Sequence, residues 1–166
     1  MIFQELVQAI GQFGISVAVG ASTFALAFYF IAIQDGVIDS SEKRFMHVVY
    51  RVLRIGMFLI VASHLVLAIL LYRMGDTSFL ESEFLWFNWS VLGIIIANAI
   101  LMQLRKMPMS LGPALAGGSW YMLAFVNAFG PASSATFSTL FSYYTGFIVL
   151  LVIALGVVKR LTAKKR

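Results

Sequence analysis

The chain has 166 residues, of which 61% are hydrophobic and only 11% charged, with a net charge of +5 and no cysteine. A soluble domain is about 25% charged, so this composition excludes an ordinary soluble fold and makes the membrane span of roughly 20 apolar residues the counting unit. The lack of cysteine excludes disulfides, thiolate metal sites and cysteine nucleophiles.

Five apolar segments are read in chain order, over about 6–33, 45–72, 84–104, 111–130 and 137–158. They are separated by QDGVIDSSEKR (34–44), RMGDTSFLESE (73–83), RKMPMS (105–110) and PASSAT (131–136), each rich in turn residues, charge or proline. Such short connections make neighbouring helices antiparallel. There is no period-two alternation of the barrel kind, no internal repeat and no low-complexity segment. The fold class expected is an all-α integral membrane protein, a compact bundle of five transmembrane helices forming one domain over 1–166.

The first span carries Gly14, Ala18 and Ser22 at four-residue spacing, a small-residue face that admits a close neighbour. Its first basic residue comes only after it, at Lys43, so a cleavable signal with a basic start is not expected.

The second span, FMHVVYRVLRIGMFLIVASHLVLAILLY, holds His47, Arg51, Arg54 and His64 within an apolar stretch. His47 belongs at the interface, and Arg51 can snorkel back to it. Arg54 lies deeper and is expected to pair with Asp35, Asp39 or Glu42, or to meet a lipid phosphate. His64 is too short to snorkel and recurs at seven-residue spacing with Tyr50 and Met57. With Arg54 nearby on the helix wheel, this side should face protein or a water-filled cavity.

The third span begins with Trp86 and Trp89, of the interfacial belt kind, and continues with Ser90, a Gly93/Ala97 small face, Asn98 and Gln103. The fourth contains AGGSWY (116–121), with Trp120 beside two glycines, an Ala114/Gly118 small face and Asn127. The fifth contains Ser142, Tyr143 and Tyr144. Most small faces are expected to be internal contacts, with one available to a dimer. By level in the bundle, His64, Asn127 and Tyr143 form an outer polar group, and Arg54, Asn98 and Gln103 an inner one. The candidate ligand-binding residues are therefore His64, Arg54, Asn98, Asn127, Trp120 and Tyr143.

Of the 12 lysines and arginines, all but Arg73 fall on one side of the alternating spans. They are Lys43, Arg44, Arg51 and Arg54, then Arg105 and Lys106, then the basic tail 159–166. The other side has Glu5, Asp76, Glu81 and Glu83. Cytoplasmic flanks retain the basic excess, so the amino terminus is expected outside and the carboxyl terminus inside. The basic tail suits anionic lipid at the cytoplasmic face, and nucleic acid is not an expected partner.

Function is less legible. The leading expectation is a non-catalytic partner or accessory subunit of a membrane complex, or a homodimer, in a prokaryotic inner membrane. An alternative is a small carrier, channel or ligand-binding sensor with a polar cavity around His64. A third is a haem b protein, with His64 as axial ligand and His47, Met57, Met102 or Met122 as the second. Catalysis is disfavoured, because every Asp and Glu lies in a loop or terminal segment.

Overall fold

A computed structural model describes residues 2–35, 40–108, 111–129 and 135–163, with side chains except those of 32–35, 159, 162 and 163. Five helices account for nearly all of them: α1 (Ile2–Asp35), α2 (Ser40–Arg73), α3 (Glu83–Gln103), α4 (Leu111–Phe129) and α5 (Phe137–Ala163). There is no strand among the described residues.

The helix ends have local causes. After α2, Gly75 takes a left-handed φ of 77°, its N–H donates to the Tyr72 carbonyl, and the Asp76 N–H donates to the Leu71 carbonyl. That pair of bonds is a Schellman C-cap, which satisfies two orphan carbonyls at the helix end. After α3 the same two bonds recur, from Arg105 to Met102 and from Lys106 to Leu101, but the left-handed residue is Arg105, with φ 55°. A side chain in that region costs roughly 1–2 kcal/mol, offset in part by a cation at the negative end of a helix dipole. Ser82 caps α3 by accepting from the Leu85 N–H, and Thr136 caps α5 by accepting from the Thr139 N–H. A 3₁₀ turn, Ser78–Glu81, fills the α2–α3 connection.

α4 is the centre of the bundle, touching α1, α3 and α5, whereas α2 packs chiefly on α1. The α1–α2 seam is made by small residues. A side chain at Gly56 would meet the Gly14 carbonyl at 2.8 Å and the Ala18 Cβ at 2.9 Å, and one at Gly11 would meet Ser63. The expected Gly14, Ala18 and Ser22 face is thus an internal contact, and all three are buried. Gly117 receives Leu26 of α1, and Gly118 receives Ile148 and Leu151 of α5. These glycines let neighbouring helices close on α4 from two sides at once. By contrast, Gly93 has no atom within 4 Å of where its side chain would lie, and Ala97 is exposed.

The contacts fix the directions. Gly14 with Leu59 and Phe28 with Phe45 run α1 against α2. Asn98 with Gly112 and Asn88 with Asn127 run α3 against α4, while Phe87 with Tyr144 aligns α5 with α3. One end of the bundle therefore carries Lys43, Arg44, Arg51, Arg54, Arg105, Lys106 and Arg160. Glu5, Arg73, Asp76, Glu81 and Glu83 lie toward the other.

Four of the five helices, α1, α2, α3 and α5, are long and apolar enough to cross a membrane. α4 is not among them, although the sequence reading counts it as a span. Gly112, Pro113, Gly117, Gly118, Ser119 and Asn127 dilute its hydropathy. Its position explains part of that composition: Gly117 and Gly118 let α1 and α5 approach α4 closely.

Candidate functional site

His64 is half-buried on α2. Its Nδ1 lies 2.9 Å from the Ile60 carbonyl, one turn earlier. A carbonyl only accepts, so Nδ1 carries a proton, and when the ring is neutral Nε2 is its bare nitrogen. The ring meets Trp89 of α3 edge-on, with centroids 6.0 Å apart. Trp89 is thereby more than a belt residue, since it is one of the few contacts that α2 makes beyond α1.

Asn127 sits at the same level but on another side of α3. Its Nδ2 donates to the Asn88 Oδ1 at 2.7 Å and to the Leu123 carbonyl at 2.8 Å, and the Asn88 amide donates in turn to the Phe84 carbonyl at 3.0 Å. Asn88 and Trp89 are consecutive on α3 and so face about 100° apart. α3 itself therefore separates the His64 contact from the asparagine pair. Asn88, 1% exposed, is the member of this group that sequence reading passes over. Its only signal is an amide inside a run of aromatic residues, FLWFNW.

Asn98 is buried lower in the same α3–α4 seam. Its Nδ2 donates to the Gly112 carbonyl at 3.0 Å and approaches the Met102 sulfur at 3.7 Å, while its Oδ1 is buried with no protein partner. Gly112 keeps this contact close, because a side chain there would press on both Met102 and Met107 at 3.1–3.2 Å. Arg54, expected near Asn98, is instead exposed on α2, as is Gln103 at the end of α3. Of the acidic partners expected for Arg54, Asp39 and the side chain of Asp35 lie outside the described residues.

Trp120 is 2% exposed and fills the core beside Gly117 and Gly118. Tyr143 is 67% exposed, whereas its neighbour Tyr144 is 3% exposed. The Ser119 hydroxyl donates to the Leu115 carbonyl at 2.6 Å, so the Tyr144 hydroxyl, 2.9 Å away, donates to Ser119. By the same logic the Tyr121 hydroxyl donates to Thr23 at 2.7 Å, since Thr23 donates to the Val19 carbonyl. Tyr143 instead borders an open groove of about 210 Å³ between α4 and α5, whose other walls are Met122, Phe125, Val126, Phe129 and Leu140. The groove is apolar and offers no convergent polar groups.

The six candidate residues are thus not gathered around one cavity. Asn127 and Asn98 join α3 to α4, Trp120 is core, His64 bridges α2 and α3, and Arg54 and Tyr143 point outward. No group of three His, Asp or Glu residues able to hold a metal ion occurs among the described residues. Met102 packs on Gly112 and Met122 lines the groove, so these two candidate iron ligands serve other contacts.

Compared with protein-family models, with curated proteins and with solved structures, the chain has no match.

Proposed function

We propose that the chain is an integral membrane protein of five crossings, amino terminus outside and basic end in the cytoplasm, which acts without catalysis as a partner subunit of a membrane assembly. The membrane we assign is a prokaryotic inner membrane. α3, at 21 residues, is about 31 Å long at the helical rise of 1.5 Å, close to the hydrocarbon thickness. α4, held among apolar helices, crosses with them.

This placement accounts for the arginines of α2. His64 lies level with Trp89, and the inner end of α3 at Gln103 is 14 residues, about 21 Å, further in. The same distance back along antiparallel α2 reaches Tyr50. Arg51 then stands at the inner boundary and Arg54 about one turn inside it, within reach of the headgroups by snorkelling. Lys43 and Arg44 lie in water.

The observation that carries the partner reading is the contrast between polar groups paired within the bundle and a small-residue face of α3 left open. Asn88 with Asn127 and Ser119 with Tyr144 pair inside the bundle, and Thr23 with Tyr121 pairs at its exposed edge. On α3, Gly93 has no atom within 4 Å of where its side chain would lie, and Ala97, Ile96 and Ile100 around it are exposed. Small faces of this spacing serve helix association in lipid. The cysteine-free chain permits a direct test with Ala97→Cys in native membranes. Oxidative cross-linking to a second copy or to one defined partner chain, abolished by Gly93→Leu, is the expected result. An uncross-linked chain whose introduced thiol reacts freely with a lipid-soluble maleimide contradicts it.

A second reading rests on His64, whose Ile60 bond leaves Nε2 unspent. A haem b bound through Nε2 predicts a Soret band in purified protein from haem-supplemented cells, with sharpened bands on dithionite reduction, lost in His64→Ala. A flat visible spectrum removes this reading.

A further inference from the structure

The exposed side of α2 has a composition that membrane crossing alone does not require. At 100° per residue, Lys43, Arg44, His47, Arg51 and Arg54 all fall within an arc of about 100°. Each of the five is exposed. The α1-facing residue Gly56 and the half-buried Glu42 lie on the opposite side of the helix, Glu42 about 180° from Arg51. The cations are therefore concentrated on one face instead of being distributed around the helix end.

The same arc continues toward the outer end as Phe58, Leu65 and Ile69, all exposed. From Lys43 to Arg54 the basic part rises about 16 Å, and from Phe58 to Ile69 the apolar part rises about the same. The depth derived above puts the junction of the two parts just inside the inner hydrocarbon boundary. One uninterrupted helix face is thus cationic where headgroups lie and apolar where acyl chains lie.

We propose that this face of α2 is a binding site for an anionic phospholipid of the inner leaflet. Arg51 and Arg54, about 4.5 Å apart along the axis, hold the phosphate between two guanidinium groups, a geometry that suits bidentate contact. Arg44 and His47 reach the outer part of the headgroup, and Phe58 and Leu65 line the first half of an acyl chain. The site rests on the membrane-spanning reading, and it deepens that reading by assigning the basic excess near α2 to recognition as well as to topology. It also gives α2, which leans chiefly on α1, a lipid partner on its free side.

The test uses the full chain, first washed in its membranes with alkaline carbonate, then purified, delipidated and followed by native mass spectrometry. Release by carbonate overturns the membrane reading and the lipid site with it. For retained protein, the expected result is one phosphatidylglycerol held per chain under conditions that strip phosphatidylcholine. Retention should fall at least fivefold in Arg51→Gln/Arg54→Gln and by a smaller factor, between two- and fivefold, in Arg51→Lys/Arg54→Lys, which keeps the charge but not the guanidinium fork. Arg105→Gln/Lys106→Gln, which removes equal charge from the same end, should change it less than twofold. Equal retention of the two lipids, an equal loss in the Arg105/Lys106 variant, or displacement of the lipid by millimolar inorganic phosphate each overturns the site while leaving the membrane reading standing.

Discussion

Asn127 of α4 donates its amide to the side-chain carbonyl of Asn88 on α3 at 2.7 Å, so a half-buried and a buried amide separated by 39 residues form one seam. Interhelical hydrogen bonds in membranes couple by about 0.6 kcal/mol on average and by up to about 1.7. A double-mutant cycle with Asn88→Ala and Asn127→Ala, read by denaturant unfolding in mild detergent, should give a coupling in that range. Asn127→Ala alone should cost about 1–3 kcal/mol, because it leaves the Asn88 oxygen buried without a donor. Additive effects would show that the pair is adjacency without interaction.

The α1–α2 seam depends on Gly56, whose added side chain would reach the Gly14 carbonyl at 2.8 Å. Gly56→Val should destabilise by about 1–3 kcal/mol, the usual cost of overpacking, and should loosen α2 because α1 is its main support. Gly20→Ala on the same first helix, with nothing within 4 Å, should leave the unfolding midpoint unchanged or raise it, since alanine is the better helix former. Equal tolerance of the two substitutions would contradict the packing described.

Adjacent tyrosines separate the inside of α5 from its outside. Tyr144→Phe removes the donor to Ser119 and should cost about 1 kcal/mol. Tyr143→Phe, on an exposed side chain, should be neutral in the same unfolding assay. The reverse ranking would place α5 about 100° from its described orientation.

One pH effect is expected outside the spans. The Asp76 carboxylate accepts from the Ser78 hydroxyl at 2.6 Å and from the Ser78 N–H at 3.0 Å. The hydroxyl first, then the backbone, hold its pKa below the ordinary aspartate value. A depressed pKa in the folded state gives stability that is present above the unfolded value, about 3.9, and lost as pH falls through the folded one. Amide exchange of Ser78, measured by NMR, should therefore speed relative to neighbouring turn amides below about pH 4, and Asp76→Asn should remove that pH dependence. A pH-independent ratio would show that the turn does not rely on the charge.

The helices are legible because apolar runs are broken by proline, glycine and charge, but their ends are less so. α2 begins at Ser40 rather than near 45, and α5 continues to Ala163 rather than 158. Hydropathy falls at the first charged residues, whereas backbone hydrogen bonding continues through SSEKR and VKRLTA, which hold Glu, Lys, Arg, Leu and Ala and neither glycine nor proline. The α1 small face is readable from Gly14, Ala18 and Ser22. Its partner Gly56 is not, since a lone glycine between Ile55 and Met57 has no small companion one turn away. The Gly93/Ala97 face has the same pattern as the first and yet is open, so spacing identifies a face without identifying what meets it. Tyr143 and Arg54 are read as inward for a related reason. α5 places Ser142, Tyr143, Tyr144 and Thr145 at consecutive positions, so every side carries a polar group, and α2 carries polar groups on more than one arc, so neither pattern reveals the protein-facing side.

The measurement that bears most directly on the account is cysteine accessibility across α4, the one helix not apolar enough on its own to count as a span. Thr77→Cys, Arg105→Cys and Ser138→Cys each place a single thiol on the cysteine-free chain, in the α2–α3 turn, the α3–α4 turn and the first turn of α5. With a membrane-impermeant maleimide on intact cells, the Thr77→Cys and Ser138→Cys variants should label, and the Arg105→Cys variant should label only after permeabilisation. Labelling of the Arg105→Cys and Ser138→Cys variants from the same side would show that α4 does not cross, and would contradict the five-crossing bundle.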